Sequence, residues 1–267
     1  MSKVVLITGG SSGIGKSIGE FLNMRGFIVY GTSRQPEKYQ DSKFPILALD
    51  VKDVGSIKHL TKTIIEKEGR IDVLINNAGV GITGPIEEIP EEEIKANFET
   101  NFFGPINLIK SVLPQMREQK SGLIINITSI AGYMGLPYRG VYSASKAALE
   151  IITESFRMEL KDFNIQMTNV APGDFATNIA AGRYHAPVLE NSPYKLPYGT
   201  TLNMMDSHVD SGKNPLLMAE VVHKIITSKN PKIHYKVGAF LQKFSVVLKR
   251  ILPDLWYEKL LSGFYNI

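Results

Sequence analysis

Apolar and polar positions alternate along this chain in two characteristic lengths. Short apolar runs rich in β-branched residues occur at "KVVLIT" (3–8), "FIVYGTS" (27–33), "FPILALD" (44–50), "IDVLINN" (71–77), "GLIINIT" (122–128) and "NIQMTNV" (164–170). Such runs read as strands buried on both faces. "KIHYKV" (232–237) reads as a final strand, and helical patterns fill 14–25, 53–68, 90–119, 143–161 and 215–228. Continuous apolar strands separated by helices predict an α/β fold, a doubly wound parallel sheet covered on both faces. No repeat, low-complexity tract or linker divides the chain, so residues 1–237 are expected to form one domain.

Two stretches break the rhythm. Residues 173–214 lack clear strands and carry Pro187, Pro193, Pro197, Gly199 and Gly212. A long irregular segment inside a domain is usually functional or disordered. Its Phe175, Tyr184, Tyr194, Tyr198, Met204 and Met205 argue against disorder and suit a lid over an apolar substrate. In the second stretch, 238–262, Phe240, Leu241, Phe244, Val247, Leu248 and Ile251 recur at helical spacing with Lys243, Lys249 and Arg250 between them. This amphipathic extension (238–267) has three readings: a substrate wall or subunit contact, peripheral contact with an anionic membrane, or a partly exposed tail.

Composition narrows the chemistry. The chain has 267 residues, 43% of them apolar and 21% charged, the balance of an ordinary globular protein. It contains no cysteine, which excludes disulfides, thiolate metal sites and cysteine nucleophiles. His59, His185, His208, His223 and His234 show no zinc-ligand spacing. A net charge of +4 is too mild to argue for nucleic acid. No apolar run approaches the ~18 residues that span a bilayer, and no secretory segment is evident, so a cytoplasmic location is expected.

"VVLITGGSSGIGKSIGEFL" sets a glycine-rich turn between the first strand and the first helix. Such a turn lets backbone approach a pyrophosphate while the helix N-terminus directs N–H groups toward it. Gly9, Ser11, Ser12, Gly13, Ile14 and Gly15 are the candidates for that contact. "GSSGIGKS" (10–17) also fits a Walker loop literally, with Asp50 at a strand end as the magnesium holder that this rival needs. The second strand ends in Thr32, Ser33 and Arg34, with no acid before Glu37. Hydroxyls and a guanidinium suit a 2′-phosphate, so NADP(H) is the preferred cofactor, with NAD(H) as the second; the plain alternative is a solvated Arg34.

"VYSASKAALE" places Tyr142 and Lys146 four residues apart. In a helix both tips reach one object, and a nearby ammonium favours the phenolate, making the tyrosine a usable proton donor and acceptor. The same spacing recurs at Tyr39 and Lys43, in a polar stretch after Pro36 that reads as a loop.

Taken together, "TGGSSGIG" (8–15), "LDV" (49–51), "NNAG" (76–79), Asn101 in "TNFFG", Ser129 in "ITSIAG", "YSASK" (142–146) and "PG" (172–173) resemble the short-chain dehydrogenase/reductase family. "GLPYRGVYSASKAALE" looks most like its 17β-hydroxysteroid and retinol dehydrogenase branch. The resemblance implies a Rossmann-type fold and selects Tyr142 over Tyr39 and the dinucleotide loop over the Walker rival. It further implies that Tyr142 transfers a proton, Lys146 depresses its pKa and binds the nicotinamide ribose, Ser129 bonds the carbonyl, and Asn101 holds a water linking Lys146 to solvent. Asp50 and Val51 would face adenine, Asn77, Ala78 and Gly79 would flank the cofactor, and Pro172 and Gly173 would border the nicotinamide. The implied activity interconverts an alcohol with its ketone or aldehyde, on a small apolar substrate, in a homodimer or homotetramer built on 90–119 and 143–161. A 3-oxoacyl carrier-protein reductase and a non-catalytic nucleotide-sensing protein are the alternatives.

Overall fold

Each apolar run sits where both of its faces are hidden. The structure, a computed structural model, describes residues 2–176, 182–210, 212–265 and 267, with the side chains of 206–210 left aside. The strands are β1 (Val4–Ile7), β2 (Ile28–Ser33), β3 (Ile46–Ala48), β4 (Val73–Asn76), β5 (Ile82–Thr83), β6 (Gly122–Ile127), β7 (Ile165–Pro172), β8 (Tyr184–His185) and β9 (His234–Val237). Seven of them form one sheet in the order β3-β2-β1-β4-β6-β7-β9, every pair parallel.

Alternation along these strands sends successive side chains to opposite faces. Val5, Ile7, Val73, Ile75, Leu123 and Ile125 pack on α1 (Gly13–Asn23) and, from later in the chain, α7 (Leu216–Thr227) through Ile18, Leu22, Met218 and Val222. Val4, Leu6, Leu74 and Ile124 face the other way onto α2 (Val54–Glu68) and α4 (Gly104–Glu118) through Ile57, Leu60, Ile64, Leu108 and Val112. α5 (Gly140–Glu159) lies against β7 and closes this layer. The predicted α/β fold and single domain are therefore observed.

Four local readings change. The run 44–50 is a strand only over Ile46–Ala48. Phe44 turns inward to fill the space left by two glycines; a Cβ at Gly19 would lie 2.2 Å from its ring, and one at Gly31 2.6 Å away. Asp50 thus sits beyond the strand rather than at its end. The helix expected over 90–119 is α3 (Glu91–Phe98), a π-turn (Glu99–Phe103) and α4. The irregular 173–214 stretch holds β8, parallel to β5 with Ile82 opposite Tyr184, and a helix, α6 (Lys195–Asp210). Residues 177–181 and 211 of the lid, and the side chain of His208, lie outside the described residues. The amphipathic extension is two helices, α8 (Phe240–Ile251) and α9 (Asp254–Tyr265).

Leu74 lies at the sheet centre and is fully buried. Leu74→Ala should cost about 2–5 kcal/mol of unfolding free energy, because the packed layer closes a cavity only partly. Urea denaturation should show a lower midpoint at unchanged slope.

Candidate active site

Strand order reverses between β1 and β4, and ligand crevices in such sheets open at the carboxyl ends of the strands at that point. The glycine-rich loop occupies it. Gly9 and Gly13 have φ of 64° and 53°, where a side chain is strained. A Cβ at Gly15 would lie 2.3 Å from the Gly9 carbonyl oxygen, and one at Gly10 2.7 Å from the Gly31 Cα. The loop is therefore closed as tightly as backbone allows.

Neighbouring side chains hold it there. Thr8 Oγ1 accepts from the Asn77 and Ala78 amides at 3.0 Å, and Asn77 Nδ2 donates to the carbonyls of Thr8 (3.0 Å) and Gly9 (3.1 Å). Ser12 begins α1 without a side-chain cap, so the first N–H groups of that helix are left for a ligand. These features fit an anionic dinucleotide: a backbone cradle closed to side chains and an uncapped, positively polarised helix end. Ser11, Ile14, Asn77, Ala78 and Gly79 line the same groove, half-buried. Lys16, the lysine of the Walker rival, points away along α1 toward Glu20 at 4.0 Å.

At the end of β2 the expected phosphate ligands divide. Arg34 is exposed. Thr32 is buried, and its hydroxyl accepts from the Gly9 amide at 3.2 Å, so it braces the loop instead of facing a ligand. Ser33 Oγ accepts from the Gln35 amide at 3.1 Å. Asp50 Oδ1 accepts from the Lys52 amide at 3.0 Å and forms a tight turn that leaves the residue half-buried. Val51 beside it packs against Gly104, whose Cβ would fall 3.1 Å from that of Val51.

The catalytic candidates come from three elements. Ser129 follows β6 and begins a 3₁₀ turn (Ile130–Tyr133), its Oγ accepting from the Ala131 amide at 3.2 Å. That turn packs against α5; a Cβ at Gly132 would lie 3.1 Å from the Lys146 carbonyl carbon, so glycine lets the two approach. Tyr142 and Lys146 occupy the buried face of α5 one turn apart, close enough to interact electrostatically. Lys146 Nζ donates to the Ile127 carbonyl at 3.1 Å. Burial pushes its ammonium below the usual lysine range, while Tyr142 and Glu150 act in the opposite sense.

Asn101 lies in the π-turn, fully buried. Its Oδ1 accepts from the Val80 amide at 2.9 Å, and its Nδ2 faces Val80 O, Asn97 Oδ1 and Ser145 Oγ at 2.9–3.2 Å. The extra residue of a π-turn re-aims one side chain, a device frequent at functional sites. Here it points Asn101 at the loop after β4. A Cβ on Gly79 would meet Asn101 Oδ1 at 3.1 Å and Lys146 Nζ at 3.2 Å, so the asparagine and the ammonium converge on one glycine. Asn101 and Lys146 thus meet at the loop after β4, with Tyr142 one turn before Lys146 on α5 and Ser129 on the turn packed against that helix. Tyr39 ends a 3₁₀ turn (Pro36–Tyr39) after β2 and is not on α5.

Several contributors escaped the sequence reading. Gln242 on α8 abuts Gly173, where a Cβ would fall 2.0 Å from its Oε1; its Nε2 donates to Asp174 Oδ2 at 2.6 Å. Gly173, expected with Pro172 to border the nicotinamide, is thereby braced by the C-terminal extension. Arg139 lies over the Tyr142 ring at 5.4 Å. Tyr133, in the turn after Ser129, donates to Glu150 Oε2 at 2.9 Å. Buried Glu150 also takes bonds from Thr128, Asn169 (3.0 Å) and His234 (2.8 Å). The pattern Tyr142, Lys146, Glu150, Glu154 repeats every four residues on α5, a signal the sequence carries.

A model of the short chain dehydrogenase family matches residues 3–187. The chain is 41% identical to a 3-ketodihydrosphingosine reductase of Bacteroides thetaiotaomicron, covering 99% of this chain and 98% of that protein. It is 31% identical to an NADPH-dependent 3-dehydrocapnine reductase of Ornithobacterium rhinotracheale, covering 97% and 95%. Among solved structures, a short-chain dehydrogenase from Streptomyces avermitilis superposes with a TM-score of 0.84 at 32% identity, covering 98% of this chain and 99% of that one.

His234 has carboxylates on both ring nitrogens, Glu150 at 2.8 Å and Glu154 at 3.0 Å. Both nitrogens can donate only in the imidazolium. The Glu150 hydrogen bond leads in raising its pKa above the ordinary 6.5, against a smaller opposing effect of burial. Its stabilisation is complete below the unfolded value and is lost as pH rises through the folded one. Denaturation midpoints should therefore fall as pH rises above about 6.5, and His234→Gln should flatten that fall.

Proposed function

The chain belongs to the short-chain dehydrogenase family, and from that premise we propose that it is an NADP(H)-dependent oxidoreductase interconverting an alcohol and its ketone or aldehyde on an apolar, lipid-like substrate. The observation that carries this reading is the meeting of Lys146 and Asn101 at Gly79, with Tyr142 one helical turn from Lys146 and Ser129 on the turn packed against the same helix, beside the glycine-rich loop.

The bound nicotinamide supplies the hydride in reduction and takes it in oxidation. The remaining work falls to this chain's side chains. In reduction, negative charge grows on the carbonyl oxygen, where the Ser129 and Tyr142 hydroxyls donate to it. Tyr142 then gives up its proton, and the Lys146 ammonium stabilises the phenolate that remains. Lys146 also holds the nicotinamide ribose, and Asn101 holds the water through which the proton is replaced. Arg34 meets the 2′-phosphate as an exposed cation at the end of β2, where no acid opposes it. Asp50 and Val51 face the adenine, and Pro172 and Gly173 border the nicotinamide.

The substrate class is supported by aromatic packing beside Tyr142. Tyr138, Tyr184, Tyr194, Tyr198 and Leu202 gather with Val141 and Tyr142 in one apolar cluster, mostly from the 173–214 lid. The relatives named for a keto-lipid base and for NADPH use support the same choice of ketone and cofactor. Uncovered Ile151 and Met158 on α5 support a homodimer or homotetramer formed through α4 and α5. Residence in the cytoplasm and peripheral membrane contact through 238–262 complete the reading.

Tyr142→Phe should abolish turnover while NADPH binding, followed by its fluorescence, stays nearly intact; equal turnover would defeat the mechanism. Arg34→Ala should weaken NADPH by about 1–3 kcal/mol and NADH far less. Parallel losses in the two titrations would end the phosphate assignment. An NADPH-oxidation screen across lipid, steroid, retinoid and acyl-thioester carbonyls should favour the lipid ketones.

A further inference from the structure

The most sharply amphipathic helix of this chain is turned inside out. In α8 the apolar stripe Phe240, Phe244, Val247 and Ile251 faces away from the body, with Phe240 72% and Ile251 68% exposed. Val246, 2% exposed, is the one fully buried residue of the helix, and Leu248 packs beside it on the body. In α9, Tyr257 and Tyr265 are buried while Leu255, Trp256, Leu260 and Phe264 are exposed. Among the described residues, ten of the twenty-four exposed large apolar side chains lie between 240 and 267. Apolar exposure concentrated in so short a segment marks an interaction surface rather than scatter.

We propose that the outer face of α8 and α9 docks on an anionic lipid bilayer surface, and that docking brings the rim of the active-site crevice to the membrane. This deepens the peripheral contact in the functional reading above, and it does not depend on the substrate's identity. Charge selects the occupant. Between 239 and 262 there are four cations, Lys243, Lys249, Arg250 and Lys259, against two acids, Asp254 and Glu258. Asp254 is already paired with Lys249 at 2.7 Å. Exposed Lys243, Arg250 and Lys259 therefore flank the apolar face nearly unopposed. A second copy packed on the same face would bring like charges together, whereas anionic headgroups match them. Aromatic and leucine side chains on one face with lysine and arginine beside it is the composition of helices that lie in a bilayer interface. No helix among the described residues is long and apolar enough to cross a membrane, so the contact is peripheral.

The inner sides of the same helices are part of the site. Gln242 braces Gly173 and Asp174, the Tyr257 hydroxyl reaches Met134 Sδ at 2.8 Å, and buried Tyr265 lies near Arg139, which overlies the Tyr142 ring. One wall thus has the crevice on one side and the uncovered apolar face on the other. A substrate with a long apolar chain would pass from bilayer to crevice around this wall without crossing water.

Trp256 is the chain's only tryptophan and is 71% exposed, so it reports directly on this face. Titrating the full chain, without substrate, with phosphatidylserine–phosphatidylcholine vesicles should shift its emission to the blue and carry the protein into the vesicle pellet. Phosphatidylcholine vesicles alone should do so far less, and raised salt should weaken the anionic binding. Lys243→Glu with Lys259→Glu should weaken binding about tenfold or more, given the pull of a charged surface on each cation. Phe240→Ser with Leu241→Ser should abolish it, while turnover of a short, water-soluble carbonyl stays unchanged. Unshifted emission with all vesicles would overturn the proposal. So would equal binding to neutral and anionic vesicles, or a dimer in sedimentation velocity that Phe240→Ser with Leu241→Ser dissolves. The vesicle measurements involve no turnover, so a failed lipid-ketone screen leaves them standing and the converse also holds.

Discussion

A buried ammonium governs the arrangement of this site. Lys146 is almost wholly removed from water, and such a charge is costly unless polar groups replace its hydration. The Ile127 carbonyl gives one direct bond, and Tyr142 and Glu150, one turn to either side, act in its favour. Gly79 has no side chain to obstruct the approach of Nζ, and Gly132 lets α5 come close enough to the Ser129 turn. A side chain at Gly132 would press on the α5 backbone at Lys146, and one at Gly79 on the tips of Asn101 and Lys146, so either replacement would displace the lysine. The requirement to shelter one cation therefore sets where two loops lose their side chains.

Polar contacts inside the sheet reinforce the same placement. Asn76 donates to Asn126 at 2.8 Å, and Asn126 donates to Thr153 on α5 at 2.8 Å. A chain of buried, hydrogen-bonded amides fixes orientation more sharply than apolar packing, because a rotated partner leaves donors unpaired. Next to it, Glu150 collects Thr128, Tyr133, Asn169 and His234. The helix that carries Tyr142 is thus pinned along its length by directional bonds from β6, β7 and β9.

The sheet and the shared helix face of Tyr142 and Lys146 were legible in the sequence because each rests on local pattern, whereas Asn101 and Ser129 were reached only through the family resemblance. Buried parallel strands are unbroken apolar runs, and the Tyr142–Lys146 spacing is one helical turn. What escaped depends on distant partners or on local exceptions. Phe44 resembles a strand residue until Gly19 and Gly31 give it a hole to fill. The π-turn at 99–103 carries no composition of its own, yet it decides where Asn101 points. In α6, Pro197 reads as a breaker, but it stands in the first turn, where a missing N–H breaks no helical bond. Thr32 looks like a phosphate ligand until the fold brings the Gly9 amide to its hydroxyl.

The C-terminal helices show the limit of periodicity most clearly. A moment identifies an apolar face but does not say which way it turns. In α1 that face buries Ile18 and Leu22 in the core. In α8 the direction is set instead by a polar residue: Gln242 must reach Asp174 and the Ala239 amide, and that pins its side of the helix against the crevice. Val246 follows it inward, and the phenylalanine stripe is left outside. An inward-facing glutamine, needed to brace the loop after β7, thereby determines that the apolar face of this protein's last segment looks away from its own core.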